Sequence, residues 1–489
     1  MKPMFTMTDD QRDAIQQAID LLQAVLTPQT EPPPIEPPPI DEPPPVEPPP
    51  PVTSIAVTDA ASLTAALTQG GTIQIAPGTY SGNFVVAVPE TTLIGLSPMG
   101  RRVTPADVSA WTLTPADPLQ PTLSVHASRV RVQGLFLTSG APDRDCVLVG
   151  SPTATDAAAQ PDDVTFESVV ILAGEQGGHR GLSAHGSHIT LIRSHIANFW
   201  EIGRDSQAFY ANNGSGPYLL EDNYLEATGE NVLFGGDTVR IPDLVPSDIT
   251  IRGNDIVKPL EWKVTKRGSV KNLVEFKNAR RVLVENNRLD GCWKDAQDGT
   301  AIVLTPRNQY GDSPWVTVDD VTIRGNVVRN TPDAAVLDIL GTDYNHVSQR
   351  VRRVVIEGNL FLDARSGILV TGGVSEALII RRNTFPAIQY RILAFDGKGA
   401  DGLPQVVTPL TLEGNVFLSG EYGITAPTTG VGVPTLTVWA VPYAVTGNVI
   451  ERSAKRSIAW PAGNTLLAPG GLAPLLDAAS RLTSGEAGW

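Results

Sequence analysis

Two apolar residues two positions apart, with asparagine three positions after the second, recur eight times along this chain. Ile249 and Ile251 precede Asn254, Val282 and Val284 precede Asn287, Val321 and Ile323 precede Asn326, Val354 and Ile356 precede Asn359, and Leu410 and Leu412 precede Asn415. The same frame fits Tyr218/Leu220/Asn223, Leu378/Ile380/Asn383 and Tyr443/Val445/Asn448. The asparagines lie 31, 33, 39, 33, 24, 32 and 33 residues apart, a period that belongs to solenoids. Earlier in the chain Val130/Val132, Val164/Phe166 and Ile189/Leu191 keep the apolar pair, with Leu135, Val169 and Ser194 in the asparagine place. A period of two predicts strands, and strands recurring once per coil of this length predict a parallel β-helix.

Between copies sits a second short apolar run: Val232 to Phe234, Leu273 to Phe276, Ile302 to Leu304, Val336 to Leu340 and Ile368 to Val370. Each coil therefore contributes at least two strands to two sheets. Stacked coils place like side chains above one another at about 4.8 Å. A buried amide at a turn then bonds its neighbours' backbone, which gives the asparagines a structural reason.

The first 52 residues break this pattern. From Thr8 to Leu26, Ile15, Ile19, Leu22 and Leu26 are spaced four, three and four apart, the stripe of an amphipathic helix. Thr8 and Gln11 have capping-box spacing. Thirteen of the twenty residues from Pro32 to Pro51 are proline, which predicts an extended spacer rather than helix or sheet. The apolar stripe thus has no core of its own and is expected to dock on another chain, either copies of itself or a larger particle. The expected organisation is a helical anchor over 1–30, a linker over 31–52, a β-helix over 53–465 and a C-terminal cap or tail over 466–489, with a short helix from Pro474 to Leu482 closing the last coil.

Charge narrows the partners. The chain carries 37 Lys plus Arg against 52 Asp plus Glu, a net −15 with no basic run, which argues against nucleic acid and anionic membranes. Cys146 and Cys292 lie far apart and form neither a disulfide framework nor a metal cluster. Neither a signal-peptide stretch nor an apolar run of membrane-spanning length is expected.

With the repeat in hand, the chain resembles the right-handed, single-stranded parallel β-helix proteins of the pectate-lyase-like superfamily. Gly70 to Phe84 (GGTIQIAPGTYSGNF) resembles that superfamily's first coil, and Ser62 to Leu67 suits the short helix that caps it. The stretches Asn223–Asp237, Leu244–Lys263 and Asn272–Gln309 resemble a narrower set of bacterial β-helix proteins. The resemblance implies an all-β solenoid on which a polysaccharide lies along one outer sheet face between long loops.

Two such loops are Asp237 to Asp248 and Thr305 to Asp320, and four tryptophans, Trp200, Trp262, Trp293 and Trp315, fall in this middle section. Indole faces on loops suit pyranose rings, and equally plug loop bases. If Val274/Phe276 and their counterparts point inward, Leu233, Glu275, Val303, Asp338 and Leu369 form one outward column. Glu275 and Asp338 then sit two coils apart, roughly 9 to 10 Å along the backbone, near the carboxyl separation of an inverting glycosidase. Lys277 and Arg307 would bind an acidic sugar; the plainer reading makes Glu275 and Lys277 a solvated surface pair. His179, His185, His188 and His195 cluster in sequence with spacings that match no metal motif, and no cofactor or metal is expected.

The layout resembles phage spikes and head fibres. It implies a virion-surface appendage, anchored by its N-terminus to a capsid or tail protein and presenting the β-helix to a cell-surface glycan as a homo-oligomer, with a trimer one arrangement. The alternative is a polysaccharide hydrolase or lyase working in the groove, with Glu275 and Asp338 as acid and base. Without a virion, the expected location is cytoplasmic.

Overall fold

The computed structural model describes residues 54–397 and 406–473. The expected anchor stripe (Ile15, Ile19, Leu22, Leu26), the proline arm and the helix from Pro474 to Leu482 lie outside the described residues. Within them the chain winds into three long parallel sheets of 14, 14 and 13 strands. Each full coil gives one strand to each sheet. In one coil, Ser247–Arg252 enters the first sheet, Asp255–Val257 the second and Val274–Phe276 the third, before Ala279–Glu285 starts the next. The apolar pairs stack in register: Ile249 on Val282 and Val321, Ile251 on Val284 and Ile323. Their side chains fill one continuous core that runs the length of the solenoid.

The sequence pattern shows two strands per coil and the structure has three. The extra strand directly follows each asparagine, as in Asp255–Val257 or Val327–Arg329, and is too short to display a period of its own. The asparagine turn between the first and second sheets has a repeated geometry. The residue just before every repeat asparagine has a left-handed backbone, at Asp222, Gly253, Asn286, Gly325, Gly358, Arg382, Gly414 and Gly447. Glycine occupies five of these eight positions because it alone adopts that conformation without strain.

Each asparagine Oδ1 accepts from the backbone N–H and the Nδ2 of the asparagine one coil earlier, and each Nδ2 also donates to a strand carbonyl. For Asn254 and Asn287 the Oδ1 contacts are 2.9 and 3.0 Å. The ladder is longer than the eight copies. Ser194 opens it, donating its N–H to Asn223 and accepting from Val169 N–H through its hydroxyl. Asn464 closes it beyond Asn448.

Helix Ala60–Leu67 covers the first coils, buries Leu63, Ala66 and Leu67 and is held by an Asp59–Ser62 capping box. Helix Val433–Trp439 buries Leu436 and Trp439 near the other end, with Trp439 stacked on Phe395. Among the described residues no helix is long and apolar enough to cross a membrane.

Candidate functional site on the outer face of the 13-stranded sheet

The strands of the third sheet alternate strictly. Val232, Phe234, Val274, Phe276, Ile302 and Leu304 point into the core. The residues between them form the outward column, in register from Tyr210 through Leu233, Glu275, Val303 and Asp338 to Leu369. Tyr210, Leu233, Glu275 and Val303 are nevertheless buried, with the Arg180 guanidinium 3.8 Å over the Tyr210 ring and Lys277 and Asn272 against Glu275.

A compact ionic cluster occupies this covered floor. Lys277 Nζ lies 3.6 Å from both Glu230 Oε1 and Glu275 Oε1. Lys271 Nζ reaches Glu230 at 3.5 Å and Asp205 at 2.5 Å. Gln207 Nε2 donates to Glu230 at 2.8 Å and accepts from Arg180 Nε through Oε1. Asn272 Nδ2 donates to Glu275 Oε2 at 2.9 Å. The solvated-pair reading of Glu275 and Lys277 is corrected here: their side chains are only 4% and 13% exposed.

The two glutamates titrate in opposite directions. Burial opposes the charge on Glu230, but Lys277, Lys271 and Gln207 outweigh it and hold this carboxyl well below its usual range. Burial dominates at Glu275, and the nearby Glu230 charge adds to it, so this carboxyl rises to about 7 despite Lys277. Asp338 is also pushed up to about 7, first by burial and then by Asp298. Its Oδ1 is buried without a hydrogen-bond partner, as is Thr305 Oγ1 nearby on the same face.

A pH dependence of stability follows. Between about pH 4 and 7 the folded chain keeps protons on Glu275 and Asp338 that the unfolded chain releases, so this stabilisation is lost as pH rises through 7. The slope is at most about 1.4 kcal/mol per pH unit for each group. Glu230 has the reverse sign, its contribution being present above the ordinary glutamate pKa and lost at lower pH. Unfolding of the E275Q/D338N variant, followed from pH 4 to 7, is expected to show a flatter slope than the natural chain. An unchanged slope would refute the assignment.

The remaining sequence candidates fall in several places. Trp262 and Trp293, 2% and 5% exposed, are packed into the core cluster. Their expected role as sugar platforms is corrected: neither offers a ring face, because the loops that carry them fold down over the coils. Trp315 is part-buried against Val239, Ile241, Leu244 and Val316, and its Nε1 donates to Leu244 O, so it braces the two long loops against each other. Arg307 lies at the rim, bonded to Asp343 Oδ1 at 3.1 Å and Tyr344 Oη at 3.0 Å. The histidines disperse: His179 pairs with Asp145, His185 is buried against Ser183, His188 meets Asp162 at the surface and His195 stacks on Tyr224. Among the described residues no group of three His, Cys, Asp or Glu is placed to hold a metal ion. Both cysteines are free and buried.

Sequence reasoning missed Glu230 and Lys258. Glu230 sits in a loop with no period, immediately before the strand Val232–Phe234. Lys258 is fully buried, its Nζ donating to Ala227 O, Gly229 O and Asn272 O at 3.0, 2.7 and 2.9 Å and also to Asn231 Oδ1. It ties together the two loops that carry Glu230 and Asn272.

A family model described as "right handed beta helix region" matches residues 180–385. A search of curated proteins finds no match. Among solved structures, the Dettilon tailspike protein is 12% identical with a TM-score of 0.39, covering 83% of this chain and 64% of its own. A tailspike variant of E. coli bacteriophage HK620 in complex with a pentasaccharide is 14% identical with a TM-score of 0.45, covering 84% and 74%. PfbA, a surface adhesin of Streptococcus pneumoniae, is 11% identical with a TM-score of 0.40, covering 82% and 87%. At such identities the likeness is one of fold. The stacked sheets, the asparagine ladder and the matched repeat region agree on one architecture: the chain is a right-handed parallel β-helix protein.

Proposed function

We propose that this β-helix is a glycan-binding appendage, held at a virion surface through its N-terminal segment, with the outer face of the 13-stranded sheet as its binding groove. One observation carries the binding reading. Asp338 Oδ1 and Thr305 Oγ1 are buried polar atoms without partners, and such atoms in a folded protein call for a ligand or ordered water. A hydroxyl-rich ligand lying along the column supplies those bonds. The tether rests on the sequence alone, on the apolar spacing of Ile15, Ile19, Leu22 and Leu26 and the proline-rich stretch that follows them. Its partner would be a capsid or tail protein, and a homo-oligomer would present several grooves at once.

The test uses the full chain on an array of bacterial capsular and lipopolysaccharide glycans. Binding is expected, and D338N is expected to weaken it about tenfold, the weight of roughly one buried hydrogen bond to a charged or polar partner. No binding anywhere on the array would end the glycan reading. Co-purification with virions is expected to vanish when residues 1–52 are deleted, and its persistence would end the tether.

A second reading is favoured by one further feature. Glu275 and Asp338 share a column two coils apart and both carboxyls are raised to about 7, so that near neutrality one can hold its proton as the general acid while the other is ionised as the general base, the division an inverting glycosidase requires. Glu275 would protonate the leaving oxygen while Asp338, the more open of the two, activates water. Release of reducing ends from a bound glycan is expected to fall about a hundredfold in E275Q. Glycan binding without any product would leave the chain an adhesin.

A further inference from the structure

Toward the C-terminal end of the solenoid a second polar cleft opens at the leading ends of strands Ala364–Thr371 and Ile388–Asp396 of the 13-stranded sheet. The next coil stacks its turn on the second of these strands: Glu421 N–H donates to Gln389 O at 3.2 Å and Tyr422 N–H to Tyr390 O at 2.8 Å. That register places Tyr390 directly against Tyr422, ring centroids 4.8 Å apart. Arg365 lies over Tyr390 at 5.2 Å on one side, and Arg456 over Tyr422 at 4.2 Å on the other, donating to its hydroxyl. The result is an Arg–Tyr–Tyr–Arg ladder along the solenoid axis. Beside it, Arg365, Gln389, Tyr390, Glu421 and Lys455 line about 720 Å³ of open space.

The charge here runs against the rest of the chain. Arg365, Arg391, Arg452, Lys455 and Arg456 stand near Asp333, Glu421 and Glu451, five cations against three carboxylates in a protein whose net charge is −15. Glu421 is shared by Lys455 and Arg456, and Asp333 is taken by Lys263. Arg365 and Arg452 make no ion pair with a carboxylate among the described residues, while the Arg391 charge also acts on Asp338. Arg365 and Arg452 are exposed as well.

We propose that this ladder is a second binding site, for an oligosaccharide that carries carboxylates. The unpaired guanidiniums supply forked donors to carboxylates, and Gln389 and the tyrosine hydroxyls supply bonds to ring hydroxyls. Single-stranded nucleic acid fits less well, because it needs open aromatic faces for base stacking and these faces are covered by arginine. The inference rests on the glycan-binding reading of the fold but not on the Glu275–Asp338 column.

Calorimetric titration of the full chain with octagalacturonate, a hyaluronan octasaccharide and neutral maltooctaose tests it. At least one acidic sugar is expected to bind ten times or more tightly than maltooctaose, and R365A/R456A, both at the rim, to lose that preference. No preference in the natural chain, or a preference that survives in R365A/R456A, overturns the site. Octathymidylate binding as tightly, and lost in the same variant, overturns the ligand class in favour of nucleic acid. D338N serves as the comparison: acidic-sugar binding lost there but kept in R365A/R456A moves the site to the column and leaves the glycan reading standing. Failure of every sugar, with silence on the array as well, takes both readings down.

Discussion

Asn326→Leu is expected to destabilise the solenoid by about 5 kcal/mol, far more than a typical single substitution. Asn326 is fully buried in the middle of the ladder. Its Oδ1 accepts from Asn287 N–H and Asn287 Nδ2 at 3.0 Å each, and its Nδ2 donates to Val284 O, Arg324 O and Asn359 Oδ1 at 2.9, 3.0 and 2.9 Å. Leucine is close in size but meets none of these bonds, and each buried group left unpaired costs about 1 to 3 kcal/mol. Two or three such groups at one turn give the figure. Asn464→Leu is the comparison, since Asn464 stands half-exposed at the open end of the same ladder and water replaces what leucine removes. That change is expected to cost about 1 kcal/mol. Because coils interact only with their neighbours, unfolding need not be all-or-none. Amide hydrogen exchange is therefore the better measurement, with protection lost around Asn287 and Asn326 first. Equal effects at the two sites would show that the ladder is ornamental and that the apolar pairs alone hold the turns.

The contrast between these asparagines and the rest of the chain shows what a sequence can disclose. The repeat is legible because stacking forces the same residue onto the same turn in coil after coil. The outward column is legible for a related reason: once Val274 and Phe276 are assigned inward, Glu275 has only one direction left, and the register carries the argument to Asp338. Asn464 escaped because the final coil is shortened, so it falls 16 residues after Asn448 instead of about 33. The loops obey no such arithmetic. Trp262 on a short helix and Trp293 in a loop look like surface aromatics in sequence, and only the fold of those segments against the coils puts them in the core. Glu230 is as obscure, since its burial between Lys271 and Lys277 depends on its loop meeting both ends of the strand one coil later.

Lys258 makes the same point with a measurable consequence. Lys258→Met is expected to destabilise the protein by about 4 kcal/mol and to loosen the ionic cluster several residues away. Methionine fills the volume, so the loss is electrostatic and not a cavity. Burial pulls the Lys258 amine down to about 8, which still leaves it charged at neutral pH. The carbonyls of Ala227, Gly229 and Asn272 and the side chain of Asn231 surround it. Removing the ammonium leaves four neutral acceptors without a donor in the loop base, and at about 1 to 3 kcal/mol for each buried group left unpaired, partly offset by relief from burying the charge, the sum comes to about 4 kcal/mol. The loops freed are those that bring Glu230 up to Lys277 and Asn272 up to Glu275. A purely structural lysine would lower the unfolding temperature and leave the titration of Glu275 where it was. A lysine that positions the cluster would also move that titration back toward the ordinary glutamate range as water enters. Carboxyl titration by isotope-edited infrared spectroscopy on K258M, at a temperature where the variant remains folded, separates the two. A Glu275 proton still held near pH 7 would show that the floor of the groove is set by its own strands alone.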